Sequence, residues 1–256
     1  MFAIFKKELR AYFISPVGYV YTGIFLAASA LICAMTTIQK ASYATSSYFQ
    51  YMIFALVVLI PLLTMRLFSE ERKTRTEQLL LTAPVTITGM VLGKYLAALT
   101  IFVSGVLISC INFIPLYSIA AAERAGTSSS LNHIGPVTGE IVGSLFAVIL
   151  MGAALIAVGT LISALTENQL SAAVVTIGVI AAMVLLSYVN ALKDSDGQPI
   201  IGNYVIRYVI DWVSVMSRFA AFRNGIFDYS ALLYDVSLAF VFLFLTVRVY
   251  EKRRWG

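Results

Sequence analysis

Apolar runs of about 20 residues recur along the whole chain, and each is long enough to cross a hydrocarbon core of about 30 Å at about 1.5 Å of helical rise per residue. The runs are Val17 to Ile38, Phe49 to Phe68, Ile87 to Tyr117, Thr138 to Thr166, Gln169 to Leu192 and Ser230 to Tyr250. They leave no stretch for a separate soluble domain, so residues 1–256 read as one transmembrane domain. Only 12% of residues are charged and 60% are hydrophobic, where soluble domains carry roughly a quarter charged. The expected fold class is an all-α integral membrane protein of six spans, several of them long enough to tilt or overhang the bilayer.

The net charge of +5 does not indicate nucleic acid, because the cations stand in short clusters beside apolar runs and not along one polar face. Lys6, Lys7, Arg10, Arg66, Arg72, Lys73, Arg75, Lys94, Arg248, Lys252, Arg253 and Arg254 fall on one side of the six-span scheme. Lys40, Arg124, Lys193, Arg207, Arg218 and Arg223 fall on the other, so the count is 12 against 6. The positive-inside rule then makes the first side, with both termini, cytoplasmic. Cys33 and Cys110 both lie in spans and are expected to remain free, and His133 is the only histidine, which excludes any site needing two.

Before the first span, Phe2, Phe5, Leu9 and Tyr12 recur at helical spacing while Lys6, Lys7 and Arg10 take the other side. That pattern predicts an interfacial helix, with Pro16 starting a new direction. Ala28-Ser29-Ala30 imitates a signal-cleavage site, but the apolar run continues to Ile38, so an uncleaved first span is expected. Counting Ile200 to Phe222 as a seventh span would put Arg207, Asp211 and Arg218 in or near hydrocarbon, at about 2.5 to 3.5 kcal/mol each near the centre. An amphipathic helix at the outer surface fits better, with Asn203, Arg207, Asp211 and Arg218 on a polar stripe flanked by Tyr204, Tyr208, Trp212 and Phe219.

Within the spans, Gly139 with Gly143 and Gly159 with Ser163 form small-xxx-small pairs that allow close helix approach. Pro61 and Pro115 should kink their helices. Asn112, the most conspicuous polar side chain deep in a span, either hydrogen-bonds a neighbouring helix or lines a substrate path.

The densest polar segment is Arg66 to Pro84, on the side assigned to the cytoplasm. Thr74 and Glu77 match a capping box just before Leu79, Leu80 and Leu81, predicting a short surface helix with an apolar edge, beside the acidic pair Glu70 and Glu71. Gly89 to Tyr95 imitates a phosphate loop, but it has three residues between the glycines and a tyrosine where a magnesium-binding hydroxyl is required. Lys94 is expected instead to snorkel to the membrane interface. An intramembrane protease is disfavoured, since His133 lies in a loop and the span acids Glu140 and Asp235 sit near outer ends. No catalytic, cofactor or metal site is expected in the chain.

Ser69 to Leu99, SEERKTRTEQLLLTAPVTITGMVLGKYLAAL, resembles the stretch after the second span in permeases of the ABC-2 type. Gly225 to Trp255 resembles the last span of the gliding-motility (GldF-like) branch, related to NosY-type permeases. Leu165 to Ala173 is similar to that family's short cytoplasmic turn between spans four and five, so Glu167, Asn168 and Gln169 are candidates for a second cytoplasmic contact. Arg75 stands where many relatives carry glycine. The resemblance implies a type V exporter fold, with an interfacial elbow helix, six spans, a coupling helix between spans two and three and re-entrant or outer helices between spans five and six.

It further implies a bacterial cytoplasmic membrane, a second permease copy or homologue, and a cytosolic ATPase that binds ATP and magnesium while this chain binds none. In the GldF-like branch an auxiliary protein with a large extracytoplasmic part is also implied. The ATPase-coupling residues would be Glu70, Glu71, Thr74, Glu77, Leu79 and Leu80. A membrane scaffold driven mechanically by an ATPase, without solute transport, is the alternative. A reporter fused to the C-terminus should work only in the cytoplasm; activity only outside the cell rules out the even span count.

Overall fold

Ser15 and Pro16 set the first corner. In the computed structural model, which describes residues 1–40, 42–78, 85–126, 135–192, 201, 203–223 and 228–255, helix α1 (Phe2–Ile14) ends at an extended Ser15 with φ −82° and ψ 150°. Pro16 then opens α2 (Pro16–Cys33) at a first-turn position, where its missing N–H would be unpaired in any case. The chain continues through α3 (Ser46–Thr64), the short α4 (Ser69–Lys73), α5 (Ile87–Ser109) and α6 (Ile114–Gly126). Then come α7 (Thr138–Leu165), α8 (Gln169–Ala191), α9 (Tyr204–Val213), α10 (Val215–Arg223) and α11 (Tyr229–Trp255). No strand occurs among the described residues.

Among the described residues, six helical segments are long and apolar enough to cross a bilayer: Pro16–Ile38, Ser46–Lys73, Ile87–Arg124, Thr138–Leu165, Gln169–Val189 and Tyr229–Arg254. They match the six expected runs, with the third and sixth running on past their predicted ends. Both termini lie at one end of the bundle, where α1 packs on the start of α5 and the last turn of α11 meets the last turn of α7.

Three spans are interrupted among the described residues, each where a side chain or a neighbouring backbone N–H can take over freed backbone groups. The first ends in a π turn, Ala34–Ile38, whose carbonyl neighbours are occupied by hydroxyls: Thr36 donates to Ile32 O at 2.7 Å and Thr37 to Cys33 O at 2.5 Å. The third tightens into a 3-10 turn at Cys110–Phe113, directly before Pro115, which has no N–H to return to the Ile111 carbonyl. That carbonyl instead accepts from Ile114 N–H. The second breaks after Thr64.

α7 is the central helix, packed against α3, α5, α8, α10 and α11. In lipid, apolar burial supplies no drive for helix association, so close van der Waals fit must do so, and small residues permit it. Ring atoms of Phe102 sit directly on Gly152, and the Thr64 side chain sits on Gly159. A Cβ at Gly159 would lie 2.8 Å from Thr64 Cβ. The Gly159–Ser163 pair therefore works as expected. Of the other pair, Gly143 approaches the Phe222 carbonyl, where a Cβ would stand 3.4 Å away, while nothing lies within 4 Å of Gly139.

The single amphipathic helix expected near residues 203–219 is instead two, broken at Ser214 (ψ 120°). The Ser214 hydroxyl accepts from Ser217 N–H at 3.5 Å, and Ser217 Oγ donates to Asp211 Oδ1 at 3.1 Å, which fixes the corner. Asn203 caps α9 by accepting from Val205 N–H at 3.0 Å. Beyond the break the polar stripe does not continue: Phe219 is buried and Arg218 stacks on Tyr234 with 4.0 Å between its guanidinium carbon and the ring centroid.

Gly159→Ala should lower stability by about 1 to 3 kcal/mol through overpacking against Thr64, whereas Gly139→Ala should leave it unchanged. Thermal unfolding in detergent compares the two; equal midpoints would show that the close approach at Gly159 is not load-sharing.

Candidate functional site

At the end bearing the termini, the second span does not stop cleanly. α3 ends at Thr64, Met65 to Phe68 form a turn, and α4 begins at Ser69. A serine from α7 holds this joint. Ser163 Oγ accepts from Phe68 N–H at 3.1 Å and Ser69 N–H at 3.3 Å and donates to the Met65 carbonyl at 3.3 Å. Ser69 Oγ also donates to the Met65 carbonyl. Ser163 thus does for α4 what an N-cap side chain ordinarily does, from another helix.

Two charged hubs surround the joint. The first is Lys94 on α5, only 1% of whose side chain is exposed. Its ammonium donates to Glu8 Oε1 on α1 at 3.0 Å, to the Leu67 carbonyl at 2.8 Å and to Glu71 Oε1 at 2.8 Å. Lys7 Nζ stands 3.8 Å from both carboxylates. The expectation that Lys94 snorkels to the interface is therefore corrected: three acceptors from distant parts of the chain converge on it, so it need not reach water. The glycines that imitate a phosphate loop serve packing, for Ile4 and the Met1 carbonyl lie where a Cβ at Gly93 would meet them at 3.2 Å. Tyr12 adds a bond to the Leu63 carbonyl at 3.0 Å, and burial, with the Glu8 carboxylate, pushes its phenol well above the usual tyrosine range. Arg66 donates to Glu70 Oε2 at 2.6 Å and to Ser15 Oγ at 3.0 Å. A cleft of about 440 Å3 lies between α1 and α4, walled by these groups.

The second hub is Glu77. Its carboxylate faces Arg72 at 3.6 Å and Arg253 of α11 at 3.2 Å. Arg253 also donates to the Ala164 carbonyl at 2.8 Å, and Arg72 to the Leu165 carbonyl at 3.0 Å and to Glu167 at 2.7 Å. Asn168 caps α8, accepting from Leu170 N–H at 3.4 Å, and Gln169 is the first residue of that helix.

Several expectations for this segment change. Thr74 does not cap a following helix; its hydroxyl donates back to the Glu70 carbonyl at 2.9 Å and pairs with Thr76 Oγ1 at 2.9 Å, closing α4. Glu77 does not reach back to Thr74, because two guanidinium groups hold it. Glu71 and Glu77 each have only 16% of the side chain exposed, so they face inward, while Glu70 is 40% exposed. Arg75, at φ 58°, adopts the left-handed conformation that favours glycine. Leu79, Leu80 and Leu81 lie outside the described residues. Asn112 makes the interhelical bond that was one of its two expected roles: its amide donates to Ser29 Oγ at 3.0 Å, and its carbonyl accepts from Cys33 Sγ at 3.6 Å.

Sequence reading missed Glu8, Ser163 and Arg253. One signal was available for the first: a lysine seven residues into an apolar helix requires a partner, and Glu8 is the acid in the otherwise basic α1.

A family model described as ABC-2 family transporter protein matches residues 25–253. The chain belongs to that family. No curated protein matches it. As an ABC-2 family member it is a multi-pass membrane component of an ABC transporter, and the joint and hubs lie within the matched region except for α1, which the match does not reach.

Ser163→Ala should leave the Phe68 and Ser69 amides without their acceptor in a dry site and cost about 1 to 3 kcal/mol. A denaturation midpoint equal to that of the unaltered protein would show that the joint does not depend on this hydroxyl.

Proposed function

We propose that this ABC-2 permease is the membrane half of an exporter, with the end bearing both termini in the cytoplasm of a bacterial cell and a separate ATPase docked on the segment from α4 through Leu81. The orientation is supported by the 12 cations gathered at that end. The observation that carries the reading is the way α4 is held. It continues the second span past the turn after Thr64, and the Lys94 hub ties it to α1 and α5 while the Glu77 hub ties its flank to α7 and α11. A push on such a segment is delivered to several spans at once, as rigid-body transmission requires.

In this mechanism ATP and magnesium act on the partner. Closure of its two nucleotide-binding subunits moves the α4 segments of two permease copies, and the spans rearrange around a path between them. The GldF-like resemblance favours a further partner, an auxiliary protein with an extracytoplasmic part. Glu71, Thr74 and Glu77 shape and hold the coupling segment, Leu79 and Leu80 supply the apolar edge that the ATPase covers, and Glu70 is the acid left nearest the partner. Glu167, salt-bridged to Arg72, with Asn168 and Gln169 forms the second contact.

Leu79→Asp with Leu80→Asp should leave the permease folded and inserted while abolishing co-purification with the cognate ATPase and stimulation of its hydrolysis. Normal stoichiometry and unchanged coupled hydrolysis would overturn the coupling assignment.

A further inference from the structure

We infer that Lys94 is a positioning residue that makes the elbow helix α1 and the coupling segment α4 move as one body, so that α1 is a second lever through which the ATPase acts on the spans. The inference rests on the coupling reading above and extends it to a residue and a helix outside the predicted coupling segment.

An ammonium has three N–H donors and no acceptor, and all three of those on Lys94 are used: Glu8 Oε1 at 3.0 Å, Leu67 O at 2.8 Å and Glu71 Oε1 at 2.8 Å. The acceptors belong to α1, to the turn between α3 and α4, and to α4 itself. If α1 and α4 moved apart, at least one carboxylate would leave. Water from the cleft between α1 and α4 could then replace that acceptor only without its counter-charge, leaving a cation that is 1% exposed in the joined arrangement short of one carboxylate. α1 and the Ser15 corner are also joined to the elements just before α4, by Tyr12 Oη to the Leu63 carbonyl at the end of α3 at 3.0 Å and by Arg66 of the turn to Ser15 Oγ at 3.0 Å. α1 in turn leads into the first span through the fixed corner at Ser15 and Pro16, where the Tyr12 backbone lies 2.9 Å from the position of a Cβ on Gly18. Displacement of α4 is therefore passed to the first span through α1 as well as to the second span through the Met65–Phe68 turn. Arginine is not an equivalent replacement, because a planar guanidinium cannot place three acceptors around one nitrogen.

The test uses the full chain co-expressed with its cognate ATPase in phospholipid nanodiscs, with Cys33 and Cys110 replaced by alanine. Spin labels are placed at Arg10→Cys on α1 and Lys73→Cys on α4, both exposed. In the otherwise unaltered chain the inter-label distance should be narrow and should not change between the nucleotide-free complex and one trapped with ATP and vanadate. Lys94→Met should broaden it. Glu8→Ala, which cuts only the α1 arm and leaves Lys94 its Glu71 counter-charge, should broaden it too, and serves if Lys94→Met does not fold. Each variant should bind the ATPase at normal stoichiometry and leave its basal hydrolysis unchanged, while permease-stimulated hydrolysis falls about tenfold; Lys94→Arg should not restore it. A narrow distance and full stimulation in Glu8→Ala would overturn the inference and leave the coupling reading standing. Failure of the unaltered chain to bind or stimulate the ATPase would overturn the coupling reading itself.

Discussion

A charged ammonium almost wholly out of water, on a helix built to lie in lipid, is the interaction on which the end bearing the termini depends. Burying an ion costs several kcal/mol, and the cost is offset only when its partners are close and complete. Lys94 meets that condition with acceptors from α1, from the turn after α3 and from α4. The requirement works in both directions. The lysine cannot be buried unless those elements come together, and removing one side of such a pair typically costs about 3 to 5 kcal/mol. Satisfying this cation brings α1 across the base of α5 and draws Glu71 of α4 to it, while Ser163 holds the start of α4.

The interruptions of the spans follow the same rule of local compensation. A helix in hydrocarbon can leave its regular hydrogen bonding only where a side chain replaces what is lost. Thr36 and Thr37 do so at the π turn of the first span, and Ser163 does so for the second. Asn112, within the 3-10 turn of the third span, links that turn to the first through Ser29 and Cys33. Compensation is not complete everywhere, and Tyr21 Oη near the start of the first span is buried without a hydrogen-bond partner among the described residues. Asp235 Oδ1, Arg218 Nε and Ser144 Oγ are buried without a hydrogen-bond partner among the described residues.

In the proposed mechanism the permease performs no chemistry of its own and would supply stiffness where force enters and freedom where a path opens. Ion pairs from Glu71 of α4 to Lys7 and Lys94, the Glu77–Arg253 pair beside α4, and hydrogen bonds from Arg72 and Arg253 to carbonyls of α7 give the first. The helix pair α9 and α10, broken at Ser214 and with no buried residue in its first helix, is consistent with the second.

The sequence by itself determined the six spans, the even count with both termini at one end, the separate first helix ended before Pro16 and the tight packing at Gly159. All of these follow from periodicity, run length and the local conformational rules for proline and glycine, which act within a few residues of the chain. It also marked the segment Arg66 to Pro84 as the densest in charge. What the sequence could not determine was which charges would meet. Thr74 and Glu77 have the spacing of a capping box, but the hydroxyl found nearer carbonyls in the helix behind it and the carboxylate found Arg72 and Arg253, the latter 176 residues away. The break at Ser214 and the partners of Lys94 were likewise decided by tertiary structure. The physical reason is that a buried ion takes the best acceptors within about 3 Å in space, and distance along the chain has no bearing on that choice.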